Sequence, residues 1–418
     1  MEAIGAGRTT CEAVVRACFE RIRAREPEVH AWAHIDSEGA LERARAFDKD
    51  GKGGPLAGVP FGVKDIIDTF DMPTEWGTAI HKGRQPERDA ACVALSRKAG
   101  GVLLGKTVTT EFANLHPGPT RNPHDLTRTP AGSSSGSAAA VADFMVPIAI
   151  GTQTTGSTIR PASFCGVFGY RPTWGDLRAT RVMEASGSLD TLGILARSIE
   201  DVALYRDVLL GVAPQPVSRE PYVPRIGFCR TPAWPHAEPA TVRAVETAAE
   251  QLRRSGIAVD EVELPGDFAG FLDAQNDVLR YDAARVFAFE RTRHPDLLSP
   301  SLREELAAGL AFPRSRYLEA QALIARCRSL FATAVAPFEC LLAGSAPGEA
   351  PRGLHHTGES IFNRLTSGLH VPCITLPGFT GPNGLPVGIQ LIGAFGDDAR
   401  LLRTAKWVAA RIDEFAAR

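Results

Sequence analysis

The first 150 residues carry apolar positions at the spacing of amphipathic helices and of short buried strands. Thr9 to Glu12 has the composition of a helix capping box, and the helix that follows is expected to reach about Arg25. Its buried stripe comprises Val14, Val15, Cys18, Phe19 and Ile22. Helices and short apolar strands then alternate to about Ile150. This order predicts an α/β protein with a mixed central β-sheet sandwiched by α-helices.

The alternation resumes in the second half of the chain, after about Pro214. There the pattern predicts a strand at Arg225–Cys229, a helix at Pro239–Ser255 and a strand at Ala258–Leu264. Helical segments rich in arginine and alanine follow. Because the sequence contains no internal repeat, low-complexity tail or linker, we predict a single domain over residues 1–418.

The composition describes a chain that can bury a large core. Of its 418 residues, 44% are hydrophobic and 22% are charged, and 46 basic against 48 acidic residues give a formal net charge of −2. This balance gives no indication of nucleic-acid binding. The N-terminus has neither the basic nor the apolar region of a signal peptide, and the apolar runs fall short of the roughly 20 residues of a membrane span. We expect no membrane binding.

The cysteines indicate a reducing compartment. They are scattered without a disulfide framework, and several lie in apolar helical or strand-like contexts. The eight positions are Cys11, Cys18, Cys92, Cys165, Cys229, Cys327, Cys340 and Cys373. We therefore expect reduced thiols and a cytoplasmic protein.

Two loops rich in glycine and hydroxyl residues carry the candidate chemistry. They are Gly132–Ser137 and Gly151–Pro161. Small residues let backbone N–H groups face a ligand, and each loop presents a serine that can serve as nucleophile or proton relay. A serine hydroxyl needs a base, yet no histidine accompanies either loop in a nucleophile elbow. The sequence therefore does not show the usual Ser-His-Asp triad.

Lys64 is the candidate base. It lies inside an apolar, strand-like stretch from Leu56 to Thr69. Burial without a partner disfavours the ammonium form and lowers the pKa of a lysine, and a neutral lysine can accept a proton. By itself, a lysine here would more often be a surface residue at a strand end. Only the combination with the two serine loops favours a catalytic role.

Together these segments resemble the amidase signature family, whose members hydrolyse amide bonds with a Ser-Ser-Lys triad. The resemblance spans most of the chain. Further matching segments are Asp89–Ala90, Gly105–Thr107, Glu111–Phe112, Arg121–Pro123, Gly166–Thr173, Gly193 and Gly384–Gly393. It implies the amidase signature fold, with a signature core at about 56–200, a variable substrate-mouth region at about 214–342 and closing strands at about 360–418.

The resemblance also implies a role for each candidate residue. Ser157 becomes the nucleophile that forms an acyl-enzyme, Lys64 becomes the base, and Ser133 becomes the relay between them, held in a cis peptide bond. The implied oxyanion hole consists of the backbone N–H groups of Thr154, Thr155, Gly156 and Ser157. The chemistry requires no metal ion and no organic cofactor.

Two departures from the family pattern lie in the serine loops themselves. Ala131 replaces a second glycine that commonly precedes Gly132, which is a mild change. Gln153 and Thr155 stand where the family usually has Asp-x-Gly. A β-branched Thr155 is expected to narrow the acyl pocket or to strain the oxyanion hole, and either effect would reduce activity on ordinary amides.

The arginine after the nucleophile is displaced by one position. Ile159 takes its common place and the arginine is Arg160, as in a branch that includes malonamidase. There the arginine contacts a substrate carboxylate, which a guanidinium binds with two parallel hydrogen bonds. The resemblance therefore implies substrate binding by Arg160 and a small amide or ureide with an acid group. The alternative is that Arg160 pairs with an internal carboxylate and braces the loop.

Two other patterns invite different functions. Gly100–Thr107 satisfies the P-loop expression G-x-x-x-x-G-K-[ST], but a helix-like segment precedes it and Val102–Leu104 has the character of a buried strand, so we do not expect nucleotide binding. His355, His356 and His370 lack the spacing of a metal site. We expect them to be hydrogen-bonded loop residues, with substrate contact as the alternative.

The sequence thus predicts an amidohydrolase that acts on a small-molecule amide through a Ser157 acyl-enzyme and releases ammonia or an amine. Two alternatives stay open. One is a glutaminase-type subunit of a multi-subunit amidotransferase, and the other is a catalytically impaired protein that only binds an acid amide or a protein partner. The family implies a homodimer, and a small accessory subunit is the other partner considered.

Overall fold

The computed structural model describes residues 2–50, 53–217 and 222–412. The remaining residues of the predicted domain, 1, 51–52, 218–221 and 413–418, lie outside this description. The described residues form one mixed sheet of eleven strands in the order β1-β3-β2-β4-β6-β5-β10-β11-β9-β7-β8. The predicted α/β fold with a mixed central sheet is confirmed.

The strands are short, and most are fully buried. They are β1 (Trp32–Ile35), β2 (Pro60–Lys64), β3 (Val102–Thr107), β4 (Ile148–Gln153), β5 (Phe168–Arg171), β6 (Thr191–Ala196), β7 (Ile226–Cys229), β8 (Val259–Val262), β9 (Cys340–Gly344), β10 (Cys373–Thr380) and β11 (Pro386–Ile392). β2 pairs in parallel with both β3 and β4, and β7 pairs in parallel with both β8 and β9. The other pairings are antiparallel.

The α-helices lie between and beside these strands. They are α1 (Glu2–Gly5), α2 (Cys11–Val29), α3 (Ser37–Asp50), α4 (Ala91–Lys98), α5 (Ser135–Ala142), α6 (Ile159–Cys165), α7 (Ile199–Leu210), α8 (Pro239–Arg254), α9 (Phe271–Val286), α10 (Ala288–Arg293), α11 (Pro300–Ala311), α12 (Arg314–Val335), α13 (Ile361–Leu369) and α14 (Asp398–Ala409). Single 3-10 turns, such as the one at Ala79–His81, connect some of them.

Alternating side chains place the sheet between two apolar layers. In β4, Ile148 and Ile150 join a core that also contains residues of α4, α7, α8 and α14, whereas Ala149 joins a core with α2, α3 and α5. In β11, Ile389 belongs to the first core, and Ile392 packs with α9, α12 and α13. Because successive strand residues point to opposite faces, helices cover both faces of the sheet.

The first helix confirms the predicted stripe but not the predicted cap. α2 runs to Val29, past Arg25, and Thr10 rather than Thr9 is its N-cap, accepting a hydrogen bond from Ala13 N at 3.1 Å. Glu12 is therefore one position too early for a capping box and pairs with Arg16 and Arg45 instead. The N–H groups of Cys11 and Glu12 are bound by the carboxylate of Asp48, which no local pattern could indicate.

The segment with the P-loop letters is a strand. β3 spans Val102–Thr107 and all six residues are buried. Lys106 lies in the core, where its ammonium is 3.4 Å from Asp65 Oδ1 and donates to Thr74 Oγ1. A lysine bound in this way is not available to a phosphate, so the expectation against a P-loop is confirmed.

The cysteines and helices agree with the compositional analysis. All eight cysteines are buried and unpaired. Within the described residues, the apolar stretches of the helices are too short or too interrupted to cross a membrane. The strand at Ile226–Cys229, the helix at Pro239–Arg254 and the strand at Val259–Val262 confirm the elements predicted for the second half.

Gly105 offers a test of the strand assignment. A Cβ at this position would meet the backbone carbonyl oxygen of His34 in the neighbouring strand β1, and backbone cannot rotate away as a side chain can. We expect Gly105→Ala to lower the free energy of unfolding by about 1–3 kcal/mol in chemical denaturation. Gly266→Ala is the control, since no atom lies within 4 Å of its added methyl group. Equal stability of the two variants would contradict the tight β1–β3 pairing.

Candidate active site

Lys64 is the last residue of β2 and is fully buried. Its Nζ lies 2.6 Å from Ser133 Oγ and 2.8 Å from Thr152 Oγ1. Thr152 comes from β4, which pairs with β2. Burial lowers the pKa of Lys64 to about 7, against an opposing effect of the Asp190 carboxylate. A substantial share of Lys64 is therefore neutral near pH 7 and can accept a proton.

The first serine loop has the backbone that the resemblance implies. The peptide bond between Gly132 and Ser133 is cis, and α5 begins at Ser135. Ala131, which replaces a common glycine, has a φ of +68°. This left-handed conformation favours glycine, so the alanine occupies a position at which a second glycine would fit more easily.

Hydrogen bonds join the two serine loops. Ser134 N donates to Ser157 O at 3.3 Å. Ser134 Oγ lies 3.2 Å from both the carbonyl oxygen and the amide nitrogen of Thr152. The loops are 24 residues apart in sequence, yet these contacts bring Ser133 and Ser157 to the same place beside Lys64.

Ser157 lies just before α6, in a largely buried loop. Its hydroxyl makes no hydrogen bond to any residue in the described ranges, and it is 9% exposed. Most buried hydroxyl groups are hydrogen-bonded, so a free hydroxyl in this position indicates a group kept available for a ligand.

The loop before Ser157 presents a row of backbone donors. Among the described residues, we find no acceptor for the amide N–H groups of Thr154, Thr155, Gly156 and Ser157. The next two amides, of Thr158 and Ile159, each donate to Gln153 Oε1 at 3.0 Å. Unpaired N–H groups are rare in buried segments, and a row of them suits a developing oxyanion.

The concern that Thr155 strains this loop receives a structural answer. Thr155 is not among the residues with positive φ, so its β-branched side chain imposes no left-handed strain. Its Oγ1 accepts a hydrogen bond from Gln275 Nε2 at 3.2 Å. Glycine is needed next to it, because a Cβ at Gly156 would lie 2.5 Å from Asn363 Oδ1.

Arg160 braces the two loops through carbonyl oxygens. Nη2 donates to Gly132 O at 2.8 Å and to Thr357 Oγ1 at 3.2 Å, and Nη1 donates to Gly358 O. The predicted bracing partner, an internal carboxylate, was wrong, because these acceptors are carbonyls and a hydroxyl. Burial lowers the pKa of Arg160 to about 10, with an opposing effect of Glu359. Nε, which is buried, has no acceptor among the described residues.

The histidines singled out by the sequence are hydrogen-bonded loop residues. His370 ends α13, and its Nε2 lies 2.6 Å from Ser188 O and 2.8 Å from Arg328 Nη2. Burial and the neighbouring guanidinium groups lower the pKa of His370 to about 3, so it is neutral. His356 bonds to the backbone of its own loop.

Asp190 is a site residue that sequence reasoning missed. It directly precedes β6 and, with Thr152 and Thr154, lines a cavity of about 110 Å³. The backbone N–H groups of Ala185 and Ser186 donate to Asp190 Oδ2 at 2.7 Å and 3.0 Å. Burial raises the pKa of Asp190, and its negative charge in turn raises the pKa of Lys64. A lone aspartate before a strand gives no sequence signal of this kind.

Comparisons with known proteins agree with this geometry. The profile of the family described as Amidase matches residues 13–402. A subunit of the glutamyl-tRNA(Gln) amidotransferase from Chloroflexus aggregans (strain MD-66 / DSM 9485) is 32% identical over 461 residues, which cover 96% of this chain and 93% of the relative.

Two solved structures resemble the whole chain. One, described as the crystal structure of an amidase, has a TM-score of 0.90 and 32% identity over 98% of both chains. The other is described as an unexpected vestigial protein complex that reveals the evolutionary origins of an s-triazine catabolic enzyme. Its TM-score is 0.91 at 29% identity, covering 98% of this chain and 97% of the other.

The fold and the site define an amide-hydrolysing enzyme. The chain belongs to the Amidase family, the amidase signature enzymes that its serine loops resemble.

The pH dependence of the reaction tests Lys64 and Asp190 together. If neutral Lys64 is the base, kcat/KM should fall as the pH drops below about 7. Asp190→Asn removes the charge that favours the ammonium form, so the acid limb should move to lower pH. Glu184→Gln, which changes another carboxylate lining the same cavity, should leave the limb in place. An unmoved limb in Asp190→Asn would show that Asp190 does not act on the base.

Proposed function

We propose that this protein hydrolyses a small amide or ureide that bears a carboxylate, through an acyl-enzyme on Ser157. One observation carries the proposal. A buried lysine with a pKa lowered to about 7 is hydrogen-bonded to Ser133 at 2.6 Å, beside a serine whose hydroxyl has no partner among the described residues. This is the arrangement in which a weak nucleophile gains a base.

Acylation begins when Ser157 Oγ attacks the amide carbonyl carbon. Ser157 passes its proton to Ser133 while Ser133 passes its own to neutral Lys64, so one C–O bond forms and the lysine becomes an ammonium. The carbonyl oxygen becomes an oxyanion that accepts the free N–H groups of the 154–157 loop. Lys64 then returns the proton through Ser133 to the amide nitrogen, the C–N bond breaks, and ammonia or an amine leaves.

Deacylation repeats these steps with water. Water gives a proton through Ser133 to Lys64 and attacks the acyl carbon. The ester C–O bond to Ser157 breaks, Ser157 recovers its proton, and the carboxylic acid leaves. These steps need no metal ion or organic cofactor, because a side chain or a substrate atom supplies every proton.

Arg160 is the proposed contact for the substrate carboxylate. Two of its donors hold Gly132 and Gly358, but the buried Nε–H and the second Nη1–H are not used by any described acceptor. The bonded carbonyls fix the guanidinium plane beside the relay loop. A fixed guanidinium with donors to spare can bind an anionic group at low entropic cost.

A glutaminase-type amidotransferase subunit is the second candidate, favoured by the names of the similar relatives. Several are subunits of glutamyl-tRNA(Gln) amidotransferases at 31–33% identity. The same triad would then release ammonia from glutamine for a partner enzyme, and a small accessory subunit would be expected. A homodimer and a cytoplasmic location, which the buried unpaired cysteines favour, complete the primary proposal.

Active-site labelling tests the triad. We expect a small alkyl fluorophosphonate to give a single adduct on Ser157, located by intact mass and peptide mapping. Lys64→Ala and Ser133→Ala should slow labelling by at least about 100-fold, because the nucleophile loses its base or its relay. Ser135→Ala, in the same loop but bonded only to Val108 O, is the control. No adduct on the wild type, under conditions that label another amidase, would favour the impaired binding protein.

Substrate choice tests Arg160. We expect the wild type to release ammonia faster from malonamic acid than from the neutral propionamide, and Arg160→Met to lose that preference by about 10- to 100-fold, since a charged hydrogen bond contributes about 1.5–3 kcal/mol. If Arg160 only braces the loops, both amides should slow equally. Ammonia release fastest from glutamine would instead favour the amidotransferase function.

A further inference from the structure

The two departures from the family pattern in the nucleophile loop, Gln153 and Thr155, are linked by one side chain. Ser367, from α13, lies between them. Its Oγ donates to Thr155 O at 2.6 Å and lies 3.4 Å from Gln153 Nε2. A hydroxyl has one proton and two lone pairs, so Ser367 donates to Thr155 and accepts from Gln153.

Gln275 completes this network from the other side. It lies in α9, within the variable region of the chain, and is fully buried. Its Nε2 donates to Thr155 Oγ1 at 3.2 Å, and its Oε1 has no partner among the described residues. A glycine, which the family usually has at position 155, would provide no oxygen for this bond.

Gln153 holds the far end of the same loop. Its Oε1 accepts the N–H groups of Thr158 and Ile159, while its Nε2 faces Ser367. An aspartate could accept the same two N–H groups but would have no hydrogen to offer Ser367. The glutamine therefore allows the start of α6 and the middle of the loop to share one network.

We propose that Gln275 and Ser367 are positioning residues that clamp the oxyanion loop through Thr155, with Gln153 as the anchor at the start of α6. The clamp fixes the side chain and the carbonyl of Thr155. It leaves the N–H groups of residues 154–157 free to face the substrate. This inference rests on the proposed function, because it assigns those N–H groups to an oxyanion.

The network lies where rigidity matters for rate. Oxyanion donors act only if they are already in place when charge develops, and a displacement of about 1 Å can reduce the rate by about 100-fold. Two adjacent glycines would leave such a loop many conformations. Here Thr155 is β-branched and bonded on two sides, so α9 and α13 decide the position of the loop.

Breaking the Thr155–Gln275 bond from either side tests the clamp. The measurement is the inactivation of the full chain by a small alkyl fluorophosphonate, whose phosphoryl oxygen takes the place of the oxyanion. Gln275→Met and Thr155→Val each remove one partner at nearly constant size. We expect each to lower the maximal inactivation rate about 10- to 100-fold and to leave the half-saturating concentration within about threefold. The double variant should be no slower than the slower single variant, because both lose the same bond.

Gln390→Met is the matched control. Gln390 is also fully buried, its Nε2 also bonds to an oxygen acceptor, Gly344 O at 2.6 Å, and its Oε1 also has no described partner. We expect it to lower the melting temperature as much as Gln275→Met does while keeping the inactivation rate. The acid limb of the rate should stay unchanged in all these variants, since Lys64 is not touched.

Inactivation rates within about twofold of wild type in both Gln275→Met and Thr155→Val would overturn the clamp. A double variant in which the two losses multiply would overturn it as well, as would an equal loss in Gln390→Met. Ser367→Ala gives an independent measurement through the carbonyl of Thr155 if a Gln275 variant does not fold. Absence of labelling in the wild type would instead refute the proposed function, so the two failures are distinct.

Discussion

The structure of this site depends on the burial of one amine. Lys64 lies between β3 and β4, where desolvation disfavours its charge. Its hydrogen-bond partners are two hydroxyl groups, of Ser133 and Thr152. Hydroxyl groups can bond to a neutral amine as well as to an ammonium. The surroundings of Lys64 therefore tolerate both protonation states, as a base requires.

A second buried lysine on the next strand shows the contrast. Lys106 is equally inaccessible, but the Asp65 carboxylate lies 3.4 Å from its Nζ. Burial lowers the pKa of Lys106 only to about 8, because Asp65 favours the charged form. Two neighbouring strands thus hold one lysine with a direct counter-charge, which serves packing, and one with hydroxyl partners, which suits proton transfer.

The variable part of the chain contributes more than a mouth to the site. Cores around α9, α12 and α13 pack on the sheet, and from this layer come Gln275 and Ser367, which bond to Thr155. A replacement that would loosen or crowd the loop in isolation is matched by partners more than 100 residues away. The signature loops and the region that distinguishes this chain therefore form one structural unit.

The main strands and helices, the family and the candidate residues Lys64, Ser133 and Ser157 could all be predicted from the sequence, because they depend on local periodicity and on motifs that are continuous along the chain. The strand character of the P-loop letters could be predicted for the same reason. The carbonyl partners of Arg160, the charge of Asp190 near Lys64 and the bond from Gln275 to Thr155 became visible only in the folded chain. These interactions join segments far apart in sequence, and their geometry depends on how the sheet and helices pack, which no local pattern records.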